Sequence, residues 1–81
     1  MELPYAVYIL KCKDNTYYTG FTVNIEKRLK AHNNKEVHYT KDKLPVLLVH
    51  LSLFENKMKA YDFERYLKSG SGIAFRNKRL L

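Results

Sequence analysis

Between Tyr5 and Thr22 the chain sets two runs of strand-forming residues either side of one turn, Lys13-Asp14-Asn15, and this pairing constrains the fold more than any other feature. The first run, Tyr5 to Cys12, is apolar on both alternating faces until Lys11, which predicts a strand covered on both sides and therefore central. The second, Thr16 to Thr22, is rich in Tyr, Thr and Phe, so the two form a hairpin. Loop length decides what the tyrosines do. A three-residue loop sets position 8 opposite 20 and position 18 opposite 10, leaving Tyr8 and Tyr18 as diagonal neighbours on one face, roughly 7–8 Å apart. A two-residue loop puts Tyr17 on Tyr8's face instead, because a shift of one flips every side chain. Asp14-Asn15 lacks the glycine of the tightest hairpins, which favours the odd loop.

Two helices and a third strand follow. Asn24 is a good N-cap with Glu26 in the first turn behind it, and the spacing predicts a helix from Ile25 to about Asn33 with Ile25, Arg28, Leu29 and His32 along its inner stripe. Residues 34 to 43 lack apolar periodicity and read as a polar, net-basic loop. From Pro45 to Phe54 a third strand is expected, and the continuous run Val46-Leu47-Leu48-Val49 is of the kind a buried strand shows. Asn56 caps a helix to about Lys68 with the stripe Ala60, Phe63, Glu64 and Leu67; Asp62 points away from it. Ser69-Gly70-Ser71-Gly72 supplies C-cap glycine chemistry and Ser71 as the next N-cap, followed by a short helix from Ile73 to Leu81 bearing Arg76, Asn77, Lys78 and Arg79.

Length and charge bound the function. Eighty-one residues make one domain, read as spanning 1–81, with a modest core. Fifteen Lys plus Arg against eight Asp plus Glu leave a formal charge of +7, which favours a polyanionic partner such as nucleic acid. Cys12 is the only cysteine, which excludes an intrachain disulfide and argues against a thiolate metal site. No stretch approaches the ~20 apolar residues of a membrane span, and Met1-Glu2-Leu3-Pro4 resembles no signal peptide, so a soluble, cytoplasmic protein without a membrane partner is expected.

Four kinds of residue carry chemistry. Glu64 is a carboxylate on an apolar stripe, costly there unless paired or bound to a cation; it reads either as a divalent-metal ligand or as a salt bridge to a nearby Lys or Arg. Arg28 reads either as a planar fork that suits phosphate oxygens and transition-state charge or as a solvated helix cation. His32 reads either as a proton acceptor near neutral pH or as a hydrogen-bonded packing residue. Tyr8 and Tyr18 are strand residues first, and with a pKa near 10 one of them can act as general base only where a neighbouring cation favours the phenolate. Lys35, Lys41 and Lys43, with His38, Tyr39 and Thr40 between them, form a basic loop suited to backbone phosphate.

In order and spacing these elements resemble the GIY-YIG nuclease superfamily from Tyr5 to at least Leu67, with Ala6-Val7-Tyr8 and Tyr18-Thr19-Gly20 as the two motifs, then Arg28, His32 and Glu64. The chain is most similar to the short, stand-alone bacterial members related to the nuclease domain of the repair excinuclease. The resemblance implies an α/β (α+β) fold, a small three-stranded antiparallel sheet packed with about three helices. It further implies a metal-dependent endonuclease hydrolysing phosphodiester bonds in DNA, branched or damaged DNA included, with Mg²⁺ or Mn²⁺ at Glu64 and no small-molecule cofactor. Tyr8, Tyr18, Arg28 and His32 then fall at catalytic positions, one tyrosine acting on water and the other on phosphate, and Asn77 matches a late asparagine near the phosphate. Phe21 and Thr22 stand where several relatives carry a lysine after the second motif, so a catalytically silent nucleic-acid-binding module is the rival reading.

Overall fold

The computed structural model describes residues 3–81. Strand β1 (Tyr5–Lys11), strand β2 (Tyr17–Thr22), helix α1 (Ile25–Asn33), strand β3 (Leu47–Phe54), helix α2 (Lys57–Leu67) and helix α3 (Gly70–Phe75) follow in that order, and a π-type turn over Arg76–Leu80 prolongs α3. The sheet is antiparallel throughout, in the order β2-β1-β3. This is the α+β architecture the sequence predicts.

The odd hairpin loop is the one formed, since Tyr8 pairs with Gly20 and Leu10 with Tyr18. Asn15 makes it possible without glycine by adopting a left-handed φ of 68°, a conformation asparagine tolerates. Asp14 braces the turn by accepting from the Thr16 backbone N–H and hydroxyl. Both helix caps form as expected. Asn24 accepts from the Lys27 N–H at 3.0 Å and Asn56 from that of Lys59 at 3.1 Å, each satisfying an orphan donor of its helix.

Because side chains alternate across a strand, β1 feeds two separate packings. Val7 and Ile9 meet Ala60 and Leu67 of α2 in a fully buried cluster, walled by Tyr5, Tyr17, Phe21, Phe54, Phe63 and Leu80. Ala6, Tyr8 and Leu10 are buried on the opposite face, where Tyr8 meets α1 through Arg28 and His32. The central strand is thus covered on both sides.

Three expectations need correcting. The apolar run of β3 is not buried: Leu47, Leu48, Val49, Leu51 and Leu53 are 63%, 42%, 38%, 39% and 47% exposed. β3 is an edge strand, one of its flanks is unpaired, and a bulge interrupts its register opposite Ile9 and Leu10. An apolar run signals a demand for burial, and at an edge one neighbour cannot meet it. Second, Ser69 and not Ser71 caps α3, its hydroxyl accepting from the Gly72 N–H at 3.1 Å. Third, no glycine with positive φ ends α2; Lys68 closes it in a right-handed conformation. Gly72 is needed for closeness instead, because a Cβ there would run into the Tyr66 carbonyl where α3 crosses the end of α2. Among the described residues no helix is long and apolar enough to cross a membrane.

Candidate active site

The Tyr8 hydroxyl sits at the centre of a buried hydrogen-bond chain. Arg28 Nε donates to it at 3.1 Å, and His32 Nε2 lies 2.9 Å away on its other side. His32 Nδ1 in turn lies 2.7 Å from the Thr40 hydroxyl. Tyr8, His32 and Thr40 are all fully buried. Burial, reinforced by the Arg28 charge, pulls His32 down to about 4, so the ring is neutral near pH 7 and carries one N–H. With Arg28 donating to the phenol oxygen, we assign the phenol proton to Nε2 and the ring proton to Nδ1, donated to Thr40.

This network limits what each group can do. Burial pushes Tyr8 up to about 12, and the Arg28 hydrogen bond only partly opposes it. The cation that would favour a phenolate is therefore present but outweighed, and Tyr8 stays protonated at neutral pH. Both nitrogens of His32 are engaged and its ring is buried, so the packing reading describes it better than direct contact with phosphate. Arg28 is held protonated chiefly by its hydrogen bond to Tyr8, with Tyr18 adding to the effect against some desolvation.

Tyr18 joins this group from β2. Its ring centroid lies 6.1 Å from that of Tyr8, 5.1 Å from His32 and 5.2 Å from Tyr39. It also lines an open cleft of about 300 Å³ along the outer edge of β2, shared with Tyr17, Thr19, Tyr39, Lys68 and Arg76. Cations lie on two of these rings: the Arg76 guanidinium is 5.1 Å from the Tyr17 centroid and Lys43 Nζ is 4.1 Å from that of Tyr39. Outside the cleft lining, the Asn77 side-chain oxygen accepts from Arg76 Nε at 3.1 Å.

Glu64 approaches from the other side. It belongs to α2, which packs on the Val7 and Ile9 face, opposite to Tyr8. Its carboxylate, with the side chain 16% exposed, accepts from Lys68 Nζ at 3.1 Å, one turn on. The salt bridge foreseen as its alternative role is thus formed, and Lys68 connects Glu64 to the cleft at the β2 edge. Tyr8, Tyr18, Arg28 and His32 are brought together directly; Glu64 shares no hydrogen bond with them among the described residues.

The basic loop divides as well. Lys35 and Lys41 project into solvent, but Lys43 lies over Tyr39 and 3.5 Å from Asp14. Thr40, read with His38 and Tyr39 as a surface contact for phosphate, points inward to His32, and Val37 is also buried. No spacing in the sequence pointed to that bond, and nothing in it marked Arg76 or Lys68 as cleft residues. Phe21, which follows the second motif, faces α2 and stacks on Tyr61 at 4.3 Å.

Residues 4–77 match the family of the GIY-YIG catalytic domain. The chain belongs to the GIY-YIG family. It is 56% identical over 63 residues to a UPF0213 protein of Clostridium perfringens, covering 76% of this chain and 68% of the relative. A UPF0213 protein of Staphylococcus haemolyticus is 47% identical over 66 residues, covering 80% of each chain. The solution NMR structure of a UPF0213 protein from Bacillus halodurans is similar in fold, with a TM-score of 0.59 and 32% identity over 94% of this chain and 85% of that one. Within the family frame, Gly20 of the second motif has a plain physical reason. A Cβ there would strike the Tyr8 phenol ring, so the glycine gives room for the motif tyrosine facing it.

Proposed function

We propose that this chain is a metal-dependent endonuclease that hydrolyses phosphodiester bonds in DNA. The observation that carries this reading is the packing of Tyr8, Tyr18 and Arg28 into one hydrogen-bonded and aromatic group beside an open, cation-flanked cleft. A phosphodiester laid along the β2 edge meets Lys68 and Arg76 at the cleft wall. The Arg28 guanidinium uses its Nε on Tyr8 and opens on a separate pocket with Thr22, Asn24 and Lys27, where its other N–H donors are assigned to phosphate oxygens of the same strand. Those donors stabilise charge that develops as water attacks phosphorus and the P–O bond to the leaving strand breaks. Tyr8, protonated, positions Arg28; Tyr18, at the cleft, orients the attacking water. His32 and Thr40 fix the Tyr8 ring from behind.

Glu64 is the residue that would hold Mg²⁺ or Mn²⁺. No cluster of three or more His, Cys, Asp or Glu capable of holding a metal occurs among the described residues; the hard oxygen of the Glu64 carboxylate is the donor type that Mg²⁺ takes alongside waters and substrate phosphate. When bound, such an ion neutralises phosphoryl charge and acidifies water. Lys68 must release the carboxylate first. Lys35, Lys41, Lys43, Tyr39 and Asn77 are assigned to the nucleic-acid track, of which Lys35 and Lys41 are the exposed cations. The Glu64–Lys68 pair also favours a second reading, a silent binding module in which Lys68 permanently occupies the metal position.

Cleavage of duplex, single-stranded, flapped and branched DNA in Mg²⁺, Mn²⁺ and EDTA decides between the two. Metal-dependent cutting of any of them supports the enzyme. Binding without cutting in either metal supports the silent module. Lys35→Ala with Lys41→Ala lowers the slope of log K against log salt by up to about two contacts times ~0.9 on duplex DNA. An unchanged slope removes the loop from the interface.

A further inference from the structure

We propose that β3 is a homodimerisation edge, through which two copies pair antiparallel about a two-fold axis at Leu51 and join their sheets into one of six strands. Three observations carry it. First, β3 is the outer strand of the sheet, so along one flank its backbone N–H and C=O groups face away from β1. Second, Leu47, Leu48, Val49, Leu51 and Leu53 are all exposed on that strand, an apolar patch on the order of 400 Å². Edge pairing buries the strand flank and the sides of these apolar chains that face the second copy, an interface at the small end of the specific range. Third, the chain carries a formal +7, yet no Asp, Glu, Lys or Arg lies between Lys43 and Glu55.

That third point selects the occupant. Two copies of so basic a chain repel over most of their surfaces, and the uncharged β3 strip is where they meet at least cost. A two-fold contact presents one patch to itself, and its centre from Val49 to Leu53 contains no charged group to desolvate, while Glu55 falls at the rim opposite Leu47 of the second copy. Pairing centred on Leu51 sets that residue against its own counterpart and Leu53 against Val49 of the second copy. The two β2 edges then lie at opposite ends of the six-stranded sheet, about 24 Å apart by strand spacing. This inference concerns the scaffold and does not depend on the nuclease reading.

Sedimentation equilibrium over a wide concentration range tests it. Wild type sediments at twice the chain mass, and Leu51→Lys, which sets two like charges face to face at the axis, weakens association by about 100-fold or more. Leu51→Cys places two thiols across the axis, where directly opposed Cα atoms are ~4.5–5.5 Å apart, and mild oxidation links the copies covalently. Wild type does not cross-link, because Cys12 is buried. A wild type that stays monomeric at every concentration overturns the proposal. So does a dimer that Leu51→Lys leaves intact, and a dimer in which Leu51→Cys does not cross-link overturns the register.

Discussion

Along the β2 edge of the sheet, Arg76 lies on the Tyr17 ring and Tyr18 packs between His32 and Tyr39, whereas along the β3 edge five apolar side chains stand exposed. Both edges flank the same central strand and both are rich in strand-forming residues. What differs is the neighbouring chain. His32 of α1, Tyr39 of the loop after it and Arg76 beyond α3 all reach β2, so its tyrosines acquire aromatic and cationic partners. At β3 the helices cover less, and the leucines keep their surface. Composition sets what an edge needs, and the connections set whether it is supplied.

The comparison can be broken first at Glu64, where the largest effect is expected. Glu64→Gln keeps the side chain's size and removes the anionic ligand, so metal-dependent cleavage falls below detection while circular dichroism and nucleic-acid binding are retained. Loss of its ion pair with Lys68 costs about 1 kcal/mol, because the lysine end of the pair is 55% exposed. A melting temperature that drops sharply with cleavage unchanged would make Glu64 a structural residue.

Acid tests the buried chain behind the β2 edge. His32 is held at about 4 in the folded protein against an ordinary 6.5, so the unfolded chain binds its proton first as pH falls. The contribution is fully present above pH 6.5 and is lost progressively down to about 4, amounting to up to about 3 kcal/mol. Urea titrations at pH 7 and pH 4.5 measure it, and His32→Gln flattens the difference. Gly20→Ala comes next, forcing Tyr8 out of place for about 1–3 kcal/mol with a matching loss of cleavage. The smallest effect belongs to β3. Leu51→Ala changes monomer stability by about 0.5 kcal/mol or less, measured at a concentration where the chain is monomeric. Leu10→Ala, one strand inward and fully buried, costs about 2–5 kcal/mol. Equal costs at the two leucines would erase the distinction between edge and core.

Features legible in the sequence depend on residues a few positions apart. The hairpin register followed from an odd loop and an asparagine able to turn left-handed, and both long helices begin at the asparagines that cap them. The gathering of Tyr8, Tyr18, Arg28 and His32 followed from that register and from helical spacing. The Thr40–His32 bond was not legible, because it rests on how a loop without periodicity folds back over α1. The exposure of β3 was hidden for a related reason. A run of Leu and Val reads the same at the centre of a sheet and at its edge, and only the topology tells them apart. Ser69 and Ser71 offer identical hydroxyls, and the close crossing at Gly72 decides which one caps.

Gly20 has an ordinary backbone conformation, so what it contributes to the fold is an absence, filled by a ring from the strand beside it. The two short motifs are therefore two halves of one inherited unit. A larger residue at position 20 is tolerated only after position 8 has become smaller, and that exchange discards the hydroxyl that anchors Arg28. Position 20 cannot gain a side chain while the phenol ring of position 8 fills its space.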